Sequence, residues 1–95
     1  MTEAEKRTIL AVDDAPENLD VIKGILVPKY RVRMATRAQV ALKLAEEQQP
    51  NLILLDITMP EMDGFECCRR LKQLEATKDI PVIFLTGRTS EQDLK

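Results

Sequence analysis

The 95-residue sequence predicts an α/β domain with a doubly wound parallel sheet and helices on both faces. Short aliphatic runs alternate with segments whose apolar residues recur at helical spacing, and brief turns separate them. Strands and helices alternating in this way form parallel sheets through right-handed crossovers. With 44% apolar and 32% charged residues, the composition is that of a soluble globular protein, so one modest core is expected.

The first two strand-helix units occupy the amino-terminal half of the chain. Residues 8–12 form an apolar strand, and Pro16 suits the first turn of a helix that Pro28 ends. Residues 30–35 alternate as a strand with one covered face, after which Thr36 is expected to cap a second helix. The apolar stripe predicted for that helix consists of Ala38, Ala41, Leu42 and Ala45.

The carboxyl-terminal half continues the alternation. Four consecutive aliphatic residues at 52–55 predict a strand buried on both faces, which runs directly into Asp56. Residues 63–64, Asp-Gly, predict a turn and the entry to a third helix. The apolar stripe predicted for this helix consists of Phe65, Cys68, Leu71 and Leu74. Residues 81–86 predict a fourth, fully buried strand, and a fourth helix is expected to begin near residues 89–90.

Four polar side chains are predicted at the carboxyl edge of the sheet. Asp13 and Asp14 end the first strand, Asp56 ends the third and Thr86 ends the fourth. Doubly wound sheets bind ligands at this edge, where the strand order reverses. Neighbouring carboxylates repel one another unless a cation compensates them, and Mg²⁺ prefers oxygen ligands. The sequence therefore predicts a magnesium site. There Asp56 can attack phosphorus to form an acyl phosphate, and Thr86 can donate its hydroxyl to a phosphoryl oxygen.

Composition excludes several other classes of chemistry. The chain has no histidine, which rules out Ser-His-Asp and Cys-His nucleophiles and His-ligated zinc. Its three glycines lack phosphate-loop spacing, and a formal charge of -2 without a basic stripe gives no reason to expect nucleic acid or membrane binding. No apolar run approaches a membrane span and the amino terminus is unlike a signal peptide, so a cytoplasmic location is expected. The adjacent Cys67 and Cys68 are interpreted as packing residues.

Three segments together resemble the receiver domain of two-component response regulators, which has a CheY-like, flavodoxin-like fold. They are ILAVDD at 9–14, LLDITMPEMDG at 54–64 and IPVIFLTG at 80–87. The resemblance implies a polar amino-terminal extension at 1–7 and a receiver domain at 8–95. A complete receiver continues through its fourth helix to a fifth strand ending in Lys-Pro and then a fifth helix. This domain is therefore expected to be incomplete, lacking the fifth βα unit and most of the fourth helix.

The resemblance implies a role for each residue of the predicted site. Asp56 would accept a phosphoryl group from a histidine kinase. Asp14 and Asp56 would bind Mg²⁺ through their carboxylates and Thr58 through its backbone carbonyl, while Asp13 would act mainly through water. Thr86 would be the switch hydroxyl that moves onto the phosphoryl group. Such a domain takes part in its own phosphorylation, so a stand-alone turnover enzyme is not expected.

Partners and alternative functions follow from the same resemblance. Segments 16–20 and 67–72 are similar to receivers fused to cyclic-di-GMP enzymes or sensor kinases, which implies an output domain or effector of that kind. An incomplete receiver leaves the strand at 82–85 as an uncovered edge, so self-association by strand pairing or exchange is expected. Because the phosphate-binding lysine of the fifth strand has no counterpart, the main alternative is a phosphorylation-independent interaction module. A remoter alternative is an aspartyl-phosphate-forming phosphatase of the haloacid-dehalogenase type. The spacing of Asp56 and Thr58 after a hydrophobic strand loosely resembles the nucleophile motif of those enzymes.

Overall fold

The computed structural model of the chain describes residues 6–57, 59 and 62–85, which form four strands and three helices. The strands are β1 (Thr8–Val12), β2 (Arg31–Ala35), β3 (Leu52–Asp56) and β4 (Val82–Leu85). The helices are α1 (Pro16–Leu26), α2 (Ala38–Gln48) and α3 (Gly64–Gln73). The fourth helix expected near residues 89–90 lies outside the described residues. In the described part, no helix combines the length and apolar character that a membrane span requires.

The strands pair in parallel in the spatial order β2-β1-β3-β4. Strand order reverses between β1 and β3, because β2 lies on the far side of β1 although it comes between them in the chain. Helix α1 packs on β1 and β2, whereas α2 and α3 pack against each other on the other face of the sheet. The predicted doubly wound parallel sheet is therefore confirmed.

The main core fills the space between the sheet and the helices α2 and α3. Alternate residues of the two central strands point into it, because successive side chains of a strand face opposite sides. These residues are Leu10, Val12, Ile53 and Leu55, none more than 1% exposed. The helices contribute chiefly Ala38, Ala41, Ala45, Cys67 and Leu71. Small alanines facing the sheet let α2 pack closely on it, which favours the dense packing of a small core.

The opposite face of the sheet is covered by α1. Leu19 of α1 is buried against it, and Ile9 of β1 is 4% exposed. A groove of about 350 Å³ remains beside the end of this helix, lined in part by Leu26, Leu52 and Leu54. Leu52 and Leu54, which face this groove, are only partly buried, whereas Ile53 and Leu55 on the other face are fully buried.

Strand β4 is more exposed than the sequence predicts. Ile83 is 51% exposed and Phe84 is 37% exposed, so the prediction of a fully buried strand at 81–86 is wrong for the described residues 82–85. A continuous apolar run indicates burial only where neighbouring elements cover both faces and edges. Among the described strands, β4 pairs with β3 alone and lies at the edge of the sheet.

Helix α2 begins one residue later than a Thr36 cap would place it. Its N-cap is Arg37, in extended conformation and without a capping hydrogen bond from its side chain, so the prediction for Thr36 is wrong. The first helical residue is the buried Ala38, which begins the apolar stripe. Burial of that stripe therefore sets the start of the helix more strongly than the threonine hydroxyl does.

The stripe predicted for α3 is confirmed at Leu71 but not at its other positions. Gly64, Cys67 and Leu71 are buried, whereas Phe65 is 60% exposed and Cys68 and Leu74 are only partly buried. The Phe65 ring lies on the surface beside Phe84 of β4, with ring centroids 4.9 Å apart. The orientation of α3 follows from the packing of Gly64 against the end of β3, which fixes the phase of the whole helix.

Burial also determines the chemistry of the cysteines. Both are free, and Cys67 is fully buried while Cys68 packs partly against the core, which confirms their interpretation as packing residues. Burial raises the pKa of the Cys67 thiol from 9.0 to about 11; Cys68 acts in the same direction and Arg70 opposes it. The Cys67 thiol is therefore neutral and inert at physiological pH.

We expect iodoacetamide to alkylate Cys68 but not Cys67 in the native chain at neutral pH, as read by mass spectrometry of digested peptides. Equal labelling of both thiols would contradict this expectation.

The raised pKa of Cys67 also makes the stability of the fold depend on pH. The unfolded chain releases the Cys67 proton at lower pH than the folded chain, so this contribution is present below pH 9 and is lost as the pH rises toward 11. The free energy of unfolding of Cys67→Ala should fall less steeply over that range than that of the wild type.

Candidate functional site

Three carboxylates meet at the carboxyl edge of the sheet. One oxygen from each of Asp13, Asp14 and Asp56 lies within 4.8 Å of the others, and these residues are called the acid cluster below. Asp13 and Asp56 are each 2% exposed, whereas Asp14 is exposed. The structure thus brings together three of the residues that the sequence singles out. The other two, Thr58 and Thr86, lie outside the described residues.

The pairing of β1 with β3 accounts for this meeting. Val12 pairs with Leu55, so the residues that follow them, Asp13 and Asp56, leave the sheet side by side. The backbone N–H of Asp13 also donates to the carbonyl of Ala35 on β2, at 3.1 Å. Because the strands are fixed by their buried side chains, neither buried acid can withdraw from the other without disrupting the central sheet.

The carboxylate of Asp13 is anchored by the start of α1. Its Oδ1 accepts a hydrogen bond from the backbone N–H of Ala15 at 2.9 Å, and its Oδ2 accepts one from the side-chain amide of Asn18 at 3.2 Å. Such bonds offset part of the cost of burying a charge. A carboxylate has about four lone-pair sites, so both oxygens can still accept a further ligand. Asn18 is not among the residues predicted for the site, although an amide one helical turn beyond an acid pair is a visible signal in the sequence.

Gly64 lets α3 approach the backbone of Asp56. A Cβ atom at position 64 would lie 2.4 Å from the Asp56 carbonyl oxygen and 2.7 Å from the Cα of Ile57. The Gly64 N–H donates to the Ile57 carbonyl at 3.1 Å. Asp63 caps the same helix by accepting from the N–H of Glu66 at 2.8 Å. The predicted turn and helix entry at Asp63 and Gly64 is confirmed, and the contact explains why a residue without a side chain is needed there.

The donor set of the acid cluster fits a hard divalent cation. Mg²⁺ binds oxygen ligands at about 2.0–2.1 Å in an octahedron, so its ligands lie about 3 Å apart when adjacent and about 4 Å apart when opposite. The three carboxylate oxygens lie within 4.8 Å of one another, which is close to this range. Only small side-chain movements would therefore be needed for them to surround the ion. All three donors are carboxylates, and carboxylate oxygens bind hard cations such as Mg²⁺ in preference to soft metals.

Comparison with known proteins agrees with the fold. The response regulator receiver domain family matches residues 9–95. A solved structure, the receiver domain of a sensor histidine kinase from Pseudomonas aeruginosa PAO1 with a magnesium ion coordinated in the active site cleft, aligns with a TM-score of 0.82. It is 32% identical in sequence, and the alignment covers 94% of this chain and 74% of that chain. The chain therefore belongs to the response regulator receiver domain family, as its sequence motifs predict.

Two curated relatives show that receivers of this kind occur within larger proteins. A probable cyclic di-GMP phosphodiesterase from Vibrio cholerae serotype O1 is 41% identical over 93 residues, which is 98% of this chain and 21% of that protein. Histidine kinase P4 from Formosa agariphila is 43% identical over 90 residues, which is 95% of this chain and 7% of that protein. The chain thus spans about a fifth of the first relative and less than a tenth of the second.

We expect Gly64→Ala to lower the free energy of unfolding by about 1–3 kcal/mol, the range for overpacking, because the new methyl group meets backbone atoms that cannot rotate away. Urea unfolding followed by circular dichroism measures the change. Gly24→Ala is the matched control, since a Cβ atom at that position in α1 meets nothing within 4 Å. It should raise stability by about 0.5–1 kcal/mol. A Gly64→Ala chain as stable as the wild type would show that the close approach is not needed.

Proposed function

We propose that this chain is a phosphoacceptor receiver, in which Asp56 takes a phosphoryl group from a histidine kinase with the help of Mg²⁺. The observation that carries the proposal is the acid cluster, whose two buried members sit at the switch point of a receiver fold. The family match and the kinase relative support it. On this proposal Asp56 is phosphorylated once in each transfer, and the chain does not turn over substrate as a stand-alone enzyme.

Asp56 is the residue proposed to react. It ends a buried strand and is 2% exposed, so its position is fixed before the donor arrives. One carboxylate oxygen attacks the phosphorus of a phosphohistidine, and a P–O bond forms as the P–N bond breaks. The electron pair of the broken bond stays on the imidazole nitrogen, and a proton from solvent completes the neutral histidine. The product is an aspartyl phosphate on Asp56.

Mg²⁺ is the proposed cofactor. Asp14 and Asp56 would hold it through carboxylates and Thr58 through its backbone carbonyl, with Asp13 acting through water. When bound, the ion would offset the negative charge of the acid cluster and of the phosphoryl oxygens. The carboxylate donor set supports this assignment, as does the magnesium in the active site cleft of the Pseudomonas receiver. We further propose that Thr86, beyond the described residues, donates its hydroxyl to a phosphoryl oxygen.

The proposed partners are a histidine kinase as donor and an output domain or effector as recipient of the signal. One relative is named as a histidine kinase and another as a probable cyclic di-GMP phosphodiesterase. Both are far longer than the matched segment, so the kinase and the cyclic-di-GMP output are proposals for this chain.

The test is incubation with acetyl phosphate and Mg²⁺, followed by intact mass measurement. We expect one added phosphoryl group that Asp56→Asn abolishes, because the amide is a poor nucleophile of the same shape. Asp20→Asn is the matched control: Asp20 is an exposed acid on α1 outside the acid cluster, and its variant should be labelled at a rate within about twofold of the wild type. Removing Mg²⁺ with a chelator should stop labelling.

Separate measurements of Mg²⁺ binding and of phosphomonoester hydrolysis, together with the labelling itself, test the alternatives. Mg²⁺ binding without any adduct would favour a phosphorylation-independent interaction module. Sustained hydrolysis of a phosphomonoester would favour the aspartyl-phosphate-forming phosphatase. Labelling that persists in Asp56→Asn would show that another residue accepts the phosphoryl group.

Self-association through β4 stays a prediction. The exposed Ile83 on this strand, which lies at the edge of the described sheet, favours pairing with a second chain. We expect light scattering to give a mass above that of the monomer, and Ile83→Lys to lower it. Val40→Lys, at a 45% exposed position on α2, should leave the mass unchanged. A wild-type chain that stays monomeric at high concentration would contradict the prediction.

A further inference from the structure

We propose that Asn18 is a positioning residue of the acid cluster, whose side-chain amide holds Asp13 in the orientation needed for Mg²⁺ binding. The inference rests on the metal site of the proposed function and adds to it a residue outside the strand ends. Asn18 lies on α1, and it reaches the cluster only because that helix begins directly behind Asp13 and Asp14.

The start of α1 determines where the amide points. Ala15 is the N-cap, in extended conformation, and its side chain makes no capping bond. Asn18 is the third helical residue, and its backbone N–H donates to the Ala15 carbonyl at 3.0 Å, which fixes it in the first turn. From there its side chain extends back to Asp13 Oδ2, at 3.2 Å.

The two oxygens of Asp13 are held in different ways. Oδ1 is held by a backbone N–H, that of Ala15, at 2.9 Å, which no substitution at position 15 other than proline removes. Oδ2 is held by the amide of Asn18, a contact that depends on a single side chain. Without that amide the described contacts hold the carboxylate from one side only, so its plane can rotate away from the cluster.

Loss of this bond is expected to weaken cation binding. Asn18 is exposed, so water can replace the lost donor at Asp13 Oδ2, but water that no helix holds does not fix the orientation of the carboxylate. Outer-shell groups that orient the ligands of a metal typically contribute about 10–100-fold to metal affinity or activity, and Asp13, acting through water, would be held by such a group. The amide also places a partial positive charge beside three negative groups, which lowers their mutual repulsion.

The positioning role can be distinguished from a purely structural role by comparing stability with Mg²⁺ affinity. Asn18 is exposed, so truncation leaves no cavity, and alanine has the higher helix propensity. Stability of the metal-free chain should therefore change little in Asn18→Ala. If Asn18 mattered only for folding, variants that lower stability equally would lower Mg²⁺ affinity equally, wherever in the chain they lie.

The test measures Mg²⁺ affinity separately from chemistry. Isothermal titration calorimetry gives the dissociation constant for Mg²⁺, and labelling by acetyl phosphate at a series of Mg²⁺ concentrations gives the half-saturating concentration and the maximal rate. We expect Asn18→Ala to raise both the dissociation constant and the half-saturating concentration about tenfold. The maximal rate at saturating Mg²⁺ should stay within about twofold, since Asp56 itself is unchanged. Asn18→Leu, of similar shape but without a donor, is a second variant with the same expectation.

Asn51→Ala is the matched control. Asn51 Oδ1 accepts from the N–H of Thr8 at 2.8 Å, so this variant also removes a side-chain amide that bonds near β1, but at the opposite end of the strand. Its Mg²⁺ affinity should stay within about twofold of the wild type. A shift as large in Asn51→Ala as in Asn18→Ala would overturn the inference, because general destabilisation would explain both.

The remaining outcomes separate this inference from the proposed function. If the wild type binds Mg²⁺ and both Asn18 variants bind it equally well, the positioning role is wrong and the receiver function stands. A lower maximal rate with unchanged Mg²⁺ affinity would also overturn the positioning role. If the wild type binds no Mg²⁺, the metal site and the role of Asn18 are both wrong.

Discussion

The parallel pairing of β1 with β3 is the constraint on which the rest of the structure depends. Each of these strands has a neighbour on both sides, and their inward side chains are almost completely buried. The register that aligns Val12 with Leu55 also aligns the acids that follow them. A slip of one residue would turn the apolar side chains of one strand to the other face and would separate Asp13 from Asp56. Burial of the central strands and formation of the acid cluster are therefore consequences of one pairing.

This pairing has an electrostatic cost that the helices help to offset. Asp13 and Asp56 are buried beside Asp14, which is exposed, and negative charges at such separations repel one another. Helix α1 begins only two residues after Asp14, so the N–H groups of its first turn lie near the cluster, where a negative charge is favoured. A backbone N–H and an amide from this turn reach Asp13 directly. The hydrophobic sheet thus brings the negative charges together, and hydrogen bonds from the turn after β1 stabilise the buried carboxylate of Asp13 before any cation binds.

The features that the sequence predicts well are those that depend on pattern and chain order. Alternating units and the placement of Asp13 and Asp56 at one sheet edge follow from periodicity and from the topology of parallel sheets. The errors arise where neighbours distant in sequence decide the outcome. Phe65 was expected inside and is exposed, because contact with the end of β3 sets the phase of α3. The exposure of β4 depends on which elements flank it, and a four-residue apolar run carries no information about its neighbours.

Asn18 and Gly64 show why site geometry is harder to predict than fold. Each acts through a distance between atoms that no local pattern encodes: an amide to a carboxylate oxygen, and an absent Cβ to a carbonyl oxygen. Both stand in the first turn of a helix, one behind Asp13 and the other against the backbone of Asp56. The sheet fixes where the two acids emerge, and the helix starts fix how they are held. Any ligand that gains free energy from the position of these acids therefore depends on how firmly α1 and α3 are docked, although neither helix belongs to the acid cluster.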